Sequence, residues 1–324
     1  MARAHRDRAP AYRPGPHRAA LAAAALTLPL LFVGGSVTSY GVGLAVPDWP
    51  TTFGVNMFLY DFWNEPFGVR LEHSHRLFGA AVGLATVVLT GWLLAADRRR
   101  WVKVLGVVAL VEVIVQGVMG GLRVNQISTL LAAVHGGFAQ AFFGLLVVLC
   151  VLTGRAWQAE SPGEGGPDPA RLRAWSVAMV GLVYGQIAVG AWFRHLDKGA
   201  AAASVHATLG LVVLGLAHAL AGRVRRNRAA AGPLSPSAKA VAVAATVQVG
   251  LGLLALWLML PLGGNPRTPT LWQAMTRTAH QTNGAVLLAA SVVLTMRAWR
   301  HFGAGPAPVP VRNEAAPRAV EALA

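Results

Sequence analysis

The strongest constraint on the fold is a series of apolar runs of about 20 residues, the length that crosses a ~30 Å hydrocarbon core as one helix. The runs occupy residues 19–37, 73–96, 102–122, 129–152, 175–193, 200–221, 240–260 and 275–299. Charged residues make up 13% of the chain, against about 25% in soluble domains. The sequence therefore predicts an all-α membrane protein with eight transmembrane helices.

The basic residues predict the orientation of these helices. Most of the 28 lysines and arginines lie in the two terminal segments and in the loops after the second, fourth and sixth runs. Such residues accumulate on the cytoplasmic side of a membrane, so we expect both termini to be cytoplasmic. The net charge of +15 could also indicate a nucleic-acid-binding surface. Because the basic residues lie in short loops between apolar runs, membrane topology explains the charge better.

A Pro- and Gly-rich segment, residues 161–169, divides the chain into two halves of four runs each. Because each half has an even number of spans, we expect two pseudo-symmetric four-helix bundles in the same orientation. The predicted boundaries are a basic tail 1–18, a first half 19–153, a linker 154–173, a second half 174–300 and a disordered tail 301–324. Residues 38–72, rich in Trp, Phe and Pro, are expected to form a lid at the outer membrane interface.

Four histidines recur a few residues into every second run: His75, His135, His206 and His280. The predicted topology places them all near the outer face, and polar side chains at membrane depth are functional candidates. Pairing by halves gives His75 with His135 and His206 with His280, each pair suited to axial ligation of a haem iron. A hydrogen bond from each histidine to a neighbouring helix is the alternative, and it does not explain their repeat-equivalent positions.

The intervening runs carry a second repeat, glutamine followed four residues later by glycine. Its copies are Gln116-x-x-x-Gly120, Gln186-x-x-x-Gly190 and Gln248-x-x-x-Gly252. Small residues at such positions let helices approach closely or let a flat ligand lie against them.

Charged residues near the histidines suggest further roles. Four arginines stand at the predicted outer helix ends, Arg76, Arg123, Arg194 and Arg277. An Arg fork suits the carboxylate of a haem propionate, whereas snorkelling to lipid headgroups is the alternative. Glu72 lies three residues before His75 and would share its helix face, and no acid precedes His206 or His280 in this way. This asymmetry indicates one reacting haem and one electron-carrying haem. Two further residues have two readings each: His73 supports the adjacent motif or contacts a lipid headgroup, and Glu112 relays protons or is a buried neutral carboxyl bonded to Gln116.

The motifs together resemble one known family. The segments that carry the resemblance are Gly34-Gly35, Gly43-Leu44-x-x-Pro47-Asp48-Trp49-Pro50, Glu72-x-x-His75-Arg76, Gln116-Gly117-x-x-Gly120-Gly121, His135-Gly136, Gly190-Ala191-x-x-Arg194-His195 and His280-Gln281. In this order, across residues 20–300, the chain resembles the haem A synthases, membrane enzymes that convert haem O to haem A for terminal oxidases. It departs from them at Ser36-Val37-Thr38-Ser39, where an arginine is common.

The resemblance implies that His75 and His135 take the substrate haem O, that His206 and His280 hold a permanent haem b, and that Glu72 is needed for the chemistry. The implied reaction oxidises a haem methyl group to a formyl group through successive hydroxylations. It also implies a cell-membrane protein, with the haem sites facing outward, that receives haem O from a haem O synthase. The electron donor is not identified, and homo-oligomerisation is left open. The competing reading is a bis-histidine haem b cytochrome that transfers electrons without modifying haem.

Overall fold

The computed structural model describes residues 12–159, 169–197, 199–259 and 269–302. The helices are α1 (Pro14–Tyr40), α2 (Phe67–Ala96), α3 (Arg100–Asn125), α4 (Thr129–Thr153), α5 (Arg155–Ala159), α6 (Pro169–His195), α7 (Ala200–Arg226), α8 (Arg228–Met259) and α9 (Leu271–His301). Within the described residues, all of these except the short α5 are long and apolar enough to cross a membrane. The predicted all-α membrane protein with eight spans is confirmed.

Local signals in the sequence account for where several helices begin and end. The Ser128 side chain caps α4 by accepting from the backbone N–H of Leu131 at 3.1 Å. Thr270 and Gln273 form a reciprocal capping box at the start of α9, which satisfies backbone donors that the first turn leaves free. Gly41 ends α1 in the left-handed conformation, with φ at 69°, where glycine carries no steric penalty.

The helices extend beyond the apolar runs. Helix α1 continues to Tyr40 and α2 begins at Phe67, so the connecting loop is 41–66 and Glu72 lies on α2. Helix α6 begins at Pro169 and α5 also forms within the segment predicted as a linker, 154–173. Most of the predicted terminal tails and the centre of that linker lie outside the described residues.

The long helices contact one another in two closed cycles. Helices α1, α2, α3 and α4 form one cycle, and α6, α7, α8 and α9 form the other. The two cycles meet through contacts of α1 with α9, α4 with α9 and α4 with α6. A small apolar cluster of Leu31, Phe143 and Ala285 fills this junction. Helix α1 therefore packs against both groups of helices, which matters for the site below.

The loop 41–66 contains a small hairpin, in which β1 (Thr51–Thr52) pairs antiparallel with β2 (Val55–Asn56). Its two central residues, Phe53 and Gly54, both have positive φ, at 50° and 77°, as a tight two-residue hairpin turn requires.

Candidate functional site

The four histidines lie at one end of the bundle, where α2, α4, α7 and α9 begin; we call this the histidine end. Each is about 9–14 Å along its helix at 1.5 Å per residue, and each is half-buried. The helix pairs that carry them are consecutive in the chain. The predicted repeat is thus expressed as four helical hairpins with a histidine on the second helix of each.

Each imidazole packs against a glycine on the preceding helix. The pairs are His75 with Gly34, His135 with Gly120, His206 with Gly190 and His280 with Gly252. A Cβ atom added at these glycines would lie 2.8, 3.2, 2.8 and 3.0 Å from the imidazole Cε1, respectively, which is too close for a relaxed contact. The glycines that the sequence marked as small residues therefore seat the histidine rings.

The ring nitrogens are not equivalent. The Nδ1 atoms of His75, His135 and His206 are buried without a hydrogen-bond partner among the described residues, and Nδ1 of His280 lies 3.1 Å from the carbonyl oxygen of Gln248. In these four rings Nδ1 is turned toward protein. A histidine whose Nδ1 faces a carbonyl presents Nε2 to a metal.

The carbonyl beside Nδ1 is at an equivalent position in three of the hairpins. Gln248 lies one helical turn before Gly252. Leu30 and Gln116, whose carbonyl oxygens lie beside the rings of His75 and His135, are also one helical turn before their glycines. The latter two contacts do not reach hydrogen-bond geometry. The backbone carbonyl therefore has an equivalent position in three hairpins, and it forms a hydrogen bond with the imidazole in one of them, at His280.

The second pair of histidines has the spacing of axial ligands. The ring centroids of His206 and His280 are 6.0 Å apart, with the ring planes at 74°. Metal–imidazole bonds of about 2 Å place two rings on opposite sides of one metal ion with centroids about 6 Å apart. Gln248 approaches Nε2 of His280 at 3.3 Å, and Gln186 donates to the carbonyl oxygen of His206 at 2.7 Å.

The first pair faces more open space. A Cβ atom added at Gly79, Gly136 or Gly137 would meet nothing within 4 Å. In the second pair, the glycine one turn after each histidine is approached by a glutamine amide, at 3.2 Å for Gly210 and 3.5 Å for Gly284. The spacing of His206 and His280 fits two imidazoles held on one metal ion, and the glycines near His75 and His135 have open space beside them.

Glu72 and Arg76 fasten the loop 41–66 over the first pair. Glu72 is buried, 3% exposed, and it accepts hydrogen bonds from the Val46 backbone N–H at 3.0 Å and from Arg76 Nη2 at 3.1 Å. Arg76 also donates to the carbonyl oxygens of Val46 at 3.0 Å, Asp48 at 2.6 Å and Thr51 at 2.9 Å. A charge pair that is this buried needs such additional hydrogen bonds to be stable.

Three further contacts hold the same loop. Arg123 donates to the Gly43 carbonyl oxygen, and the Trp49 ring fills the space where a Cβ of Gly121 would be. His73, fully buried, lies with Nδ1 3.2 Å from the Thr52 hydroxyl. The sequence left His73 either as a support for the Glu72 motif or as a headgroup contact, and its adjacency to the motif did not reveal that it faces the loop.

Hydrogen bonds also set the ionisation of two groups in the loop. Burial alone would raise the pKa of Asp48, but donors from the Gly54 backbone, the Thr51 hydroxyl and the Phe53 backbone outweigh it, and the pKa is lowered below its ordinary value. The hydrogen bond from Tyr60 to Glu65 raises the Tyr60 pKa to about 12. At neutral pH Asp48 is therefore a carboxylate that ties the hairpin turn together.

The two arginines predicted for the second half meet at Ser39, at the end of α1. Arg194 donates to the Ser39 hydroxyl at 2.7 Å and to Gln281 Oε1 at 3.2 Å. Arg277 donates to the Ser39 carbonyl oxygen at 2.8 Å, and Thr278 donates to the Ser39 hydroxyl at 3.0 Å. The four predicted arginines thus bond to protein groups, which snorkelling to lipid would not produce.

Comparisons with known proteins agree with these observations. Residues 17–292 match the model of the cytochrome oxidase assembly protein family, COX15-CtaA. A haem A synthase of Methylobacterium nodulans is 29% identical over 202 residues, which cover 52% of this chain and 54% of that protein. A haem A synthase of Sphingopyxis alaskensis is 30% identical over 145 residues, or 40% of this chain and 37% of that protein.

The chain thus matches little more than half the length of the first relative and less of the second. The family match covers all eight spans in whole or in part. The chain belongs to the cytochrome oxidase assembly protein family, which confirms the resemblance to haem A synthases that the motifs indicated.

Proposed function

We propose that the chain is a haem A synthase that oxidises a methyl group of haem O to a formyl group and so supplies haem A to terminal cytochrome oxidases. The observation that carries the proposal is the seating of four imidazoles, in two pairs, at the histidine end of a chain in this family. Family membership supports haem chemistry, and the two pairs supply places for a substrate haem and a resident haem.

In this proposal His75 and His135 hold haem O, and His206 and His280 hold haem b. Bound haem iron supplies one-electron transfer and oxygen chemistry. The protein positions the substrate by fixing two imidazoles against glycines, and the open space near the first pair accommodates a macrocycle that enters and leaves. The tighter glutamine contacts of the second pair suit a resident group.

Glu72 lies three residues before His75, beside the first pair. Both carboxylate oxygens accept hydrogen bonds, one from Arg76 and one from the Val46 backbone N–H. We propose that the Glu72 carboxylate shuttles protons for the reaction and that its contacts close the loop 41–66 over the substrate. A closed loop excludes water from the reacting methyl group.

We assign the propionates to the four predicted arginines, Arg76, Arg123, Arg194 and Arg277. The Nη donors of Arg76 bond to Glu72 and to three loop carbonyls, and both Nη atoms of Arg194 also bond to protein groups. We propose that Arg76 also anchors the lid. The orientation that follows has both termini in the cytoplasm and the histidine end at the outer face of the cell membrane, where a haem O synthase in the same membrane delivers the substrate.

The test is to express the chain with a source of haem O, purify it, and separate the extracted haems by chromatography. We expect haem b in the unsubstituted protein and haem A in the cells. Glu72→Gln is expected to retain bound haem and to lose haem A, whereas Glu65→Gln, a loop carboxylate bonded only to Tyr60 in the described contacts, is expected to keep it. A protein that binds haem b and makes no haem A in any form would be an electron-transfer cytochrome instead, and a protein without haem would contradict both.

A further inference from the structure

Two adjacent glycines of α1 face different helices, Gly34 facing α2 and Gly35 facing α9. A Cβ atom at Gly34 would lie 2.8 Å from Cε1 and 3.3 Å from Nδ1 of His75, in the first pair. A Cβ atom at Gly35 would lie 3.0 Å from Oε1 and 3.3 Å from Nε2 of Gln281, the residue after His280 in the second pair. One dipeptide therefore borders both sites.

The geometry of a helix explains this double contact. Successive residues on an α-helix are about 100° apart around the axis and 1.5 Å apart along it. Two neighbours can therefore face different helices at nearly the same depth. Helix α1 contacts α2 on one side and α9 on another, and these helices carry His75 and Gln281.

On the side of the second pair, α1 completes a polar network. Arg194 donates to Gln281 Oε1 at 3.2 Å, to the Gly35 carbonyl oxygen at 3.3 Å and to the Ser39 hydroxyl at 2.7 Å. Ser39 is 3% exposed and Thr278, which also bonds to it, is fully buried. The site of the second half is thus built partly from the first helix of the first half.

We propose that Gly34-Gly35 is a shared positioning element for the two histidine sites. Gly34 sets the imidazole plane of His75. Gly35 sets the Gln281 amide and, through it, the Arg194 guanidinium beside the second pair. The inference rests on the proposed function in taking both pairs as haem sites. As a consequence, the backbone of α1 forms a wall that the two sites share. A methyl group added at Gly34 should perturb the first site, and a methyl group added at Gly35 should perturb the second.

The test uses the full chain purified in detergent, with Gly34→Ala and Gly35→Ala compared against Gly83→Ala, a helical glycine with open space around it. Three quantities are measured: the affinity for added haem O, the midpoint potential of the resident haem, and the low-spin electron paramagnetic resonance signal, which reports imidazole orientation. Gly34→Ala is expected to weaken haem O binding about tenfold, the scale of over-packing by one methyl group, and to leave the resident potential unchanged. Gly35→Ala is expected to shift the resident potential and leave haem O binding unchanged.

If Gly35→Ala does not fold, Gln281→Ala removes the same amide without adding an atom, and it should shift the same potential. The proposal is overturned if both alanine variants behave like Gly83→Ala, or if each acts equally on both sites. An unsubstituted protein that binds both haems but makes no haem A would overturn the proposed function and leave the paired effects as evidence for the shared wall. An unsubstituted protein that binds no haem would overturn both.

Discussion

The two histidine pairs are built from the same helical hairpin, yet their surroundings differ. In the first half, the connection between the two helices of the first hairpin is the loop 41–66, fastened by Glu72 and Arg76. In the second half, the corresponding connection between α6 and α7 is only residues 196–199, and no lid can form from it. Glutamine amides and arginines surround the second pair instead. The packing of each imidazole against a glycine is therefore common to both pairs. The difference in their proposed roles comes from the groups that surround the imidazoles.

The largest expected effect separates the two pairs directly. His206→Ala removes one of the two imidazoles that we propose hold the resident haem, and it is expected to abolish the Soret absorption of that haem in purified protein. His218→Ala, on the same helix and bonded to Thr246 at 2.9 Å, serves as the control and should leave the spectrum intact. A resident haem that survives His206→Ala and is lost in His75→Ala would reverse the assignment of the halves.

The next effect concerns the lid of the first half, the loop 41–66. Arg76→Ala leaves the buried Glu72 carboxylate without its counter-charge and removes three contacts to loop carbonyls, so we expect a loss of about 3 kcal/mol in stability. The thermal midpoint of unfolding and protease cleavage within 41–66 would measure it. Arg70→Ala, an exposed arginine of the same helix, should change neither. Equal behaviour of the two variants would show that the lid does not depend on the buried pair.

A smaller effect is expected for Trp49, whose ring packs against Gly121 of α3. Trp49→Ala empties the space above Gly121, and because the ring is only half-buried we expect a loss of about 2 kcal/mol, less than for a core tryptophan. Faster hydrogen exchange of the loop amides would report it. Trp63, 73% exposed in the same loop, provides the control, and exchange accelerated as much by Trp63→Ala would argue against a specific role for Trp49.

The smallest effect is a dependence of the hairpin turn on pH. Because the pKa of folded Asp48 is lowered below its ordinary value of 3.8, its carboxylate stabilises the turn above that value, and the contribution is lost as the pH falls through the lower folded pKa. The hydrogen-exchange protection factors of residues 46–56, followed from neutral pH to pH values below 3.8, should fall only at the acid end. Asp48→Asn should remove this pH dependence; if it persists, another group controls the turn.

The sequence predicted the eight spans because each apolar run is long enough to cross a bilayer by itself, which is a local property. It also located the four histidines, whose spacing within the runs repeats. It placed the start of the second run at His73, whereas α2 begins at Phe67, because the charged residues Arg70 and Glu72 precede the apolar run. The buried Glu72 depends on a partner in 41–66, and a local pattern does not contain that partner.

Contacts across the chain were beyond prediction for the same reason. Ser39 receives Arg194 from 155 residues away and Thr278 from 239 residues away, and nothing near Ser39 indicates either. The seating of each imidazole was partly accessible, since the Gln-x-x-x-Gly repeat marked three of the four glycines. Gly34 lacks the glutamine, with Leu30 in its place, so only the structure revealed the fourth member.

The hydrogen bonds from Arg76 to the loop limit how the amino-acid sequence of residues 46–51 can change. Its acceptors in the lid are the main-chain oxygens of Val46, Asp48 and Thr51, which every amino acid supplies. Replacing the side chain of Val46 or Thr51 therefore leaves the hydrogen bonds of the Arg76 guanidinium intact. Removing one residue between 46 and 51 would move the carbonyl oxygens beyond hydrogen-bond distance. The side chains at positions 46 and 51 can therefore vary as long as the length of the segment stays fixed.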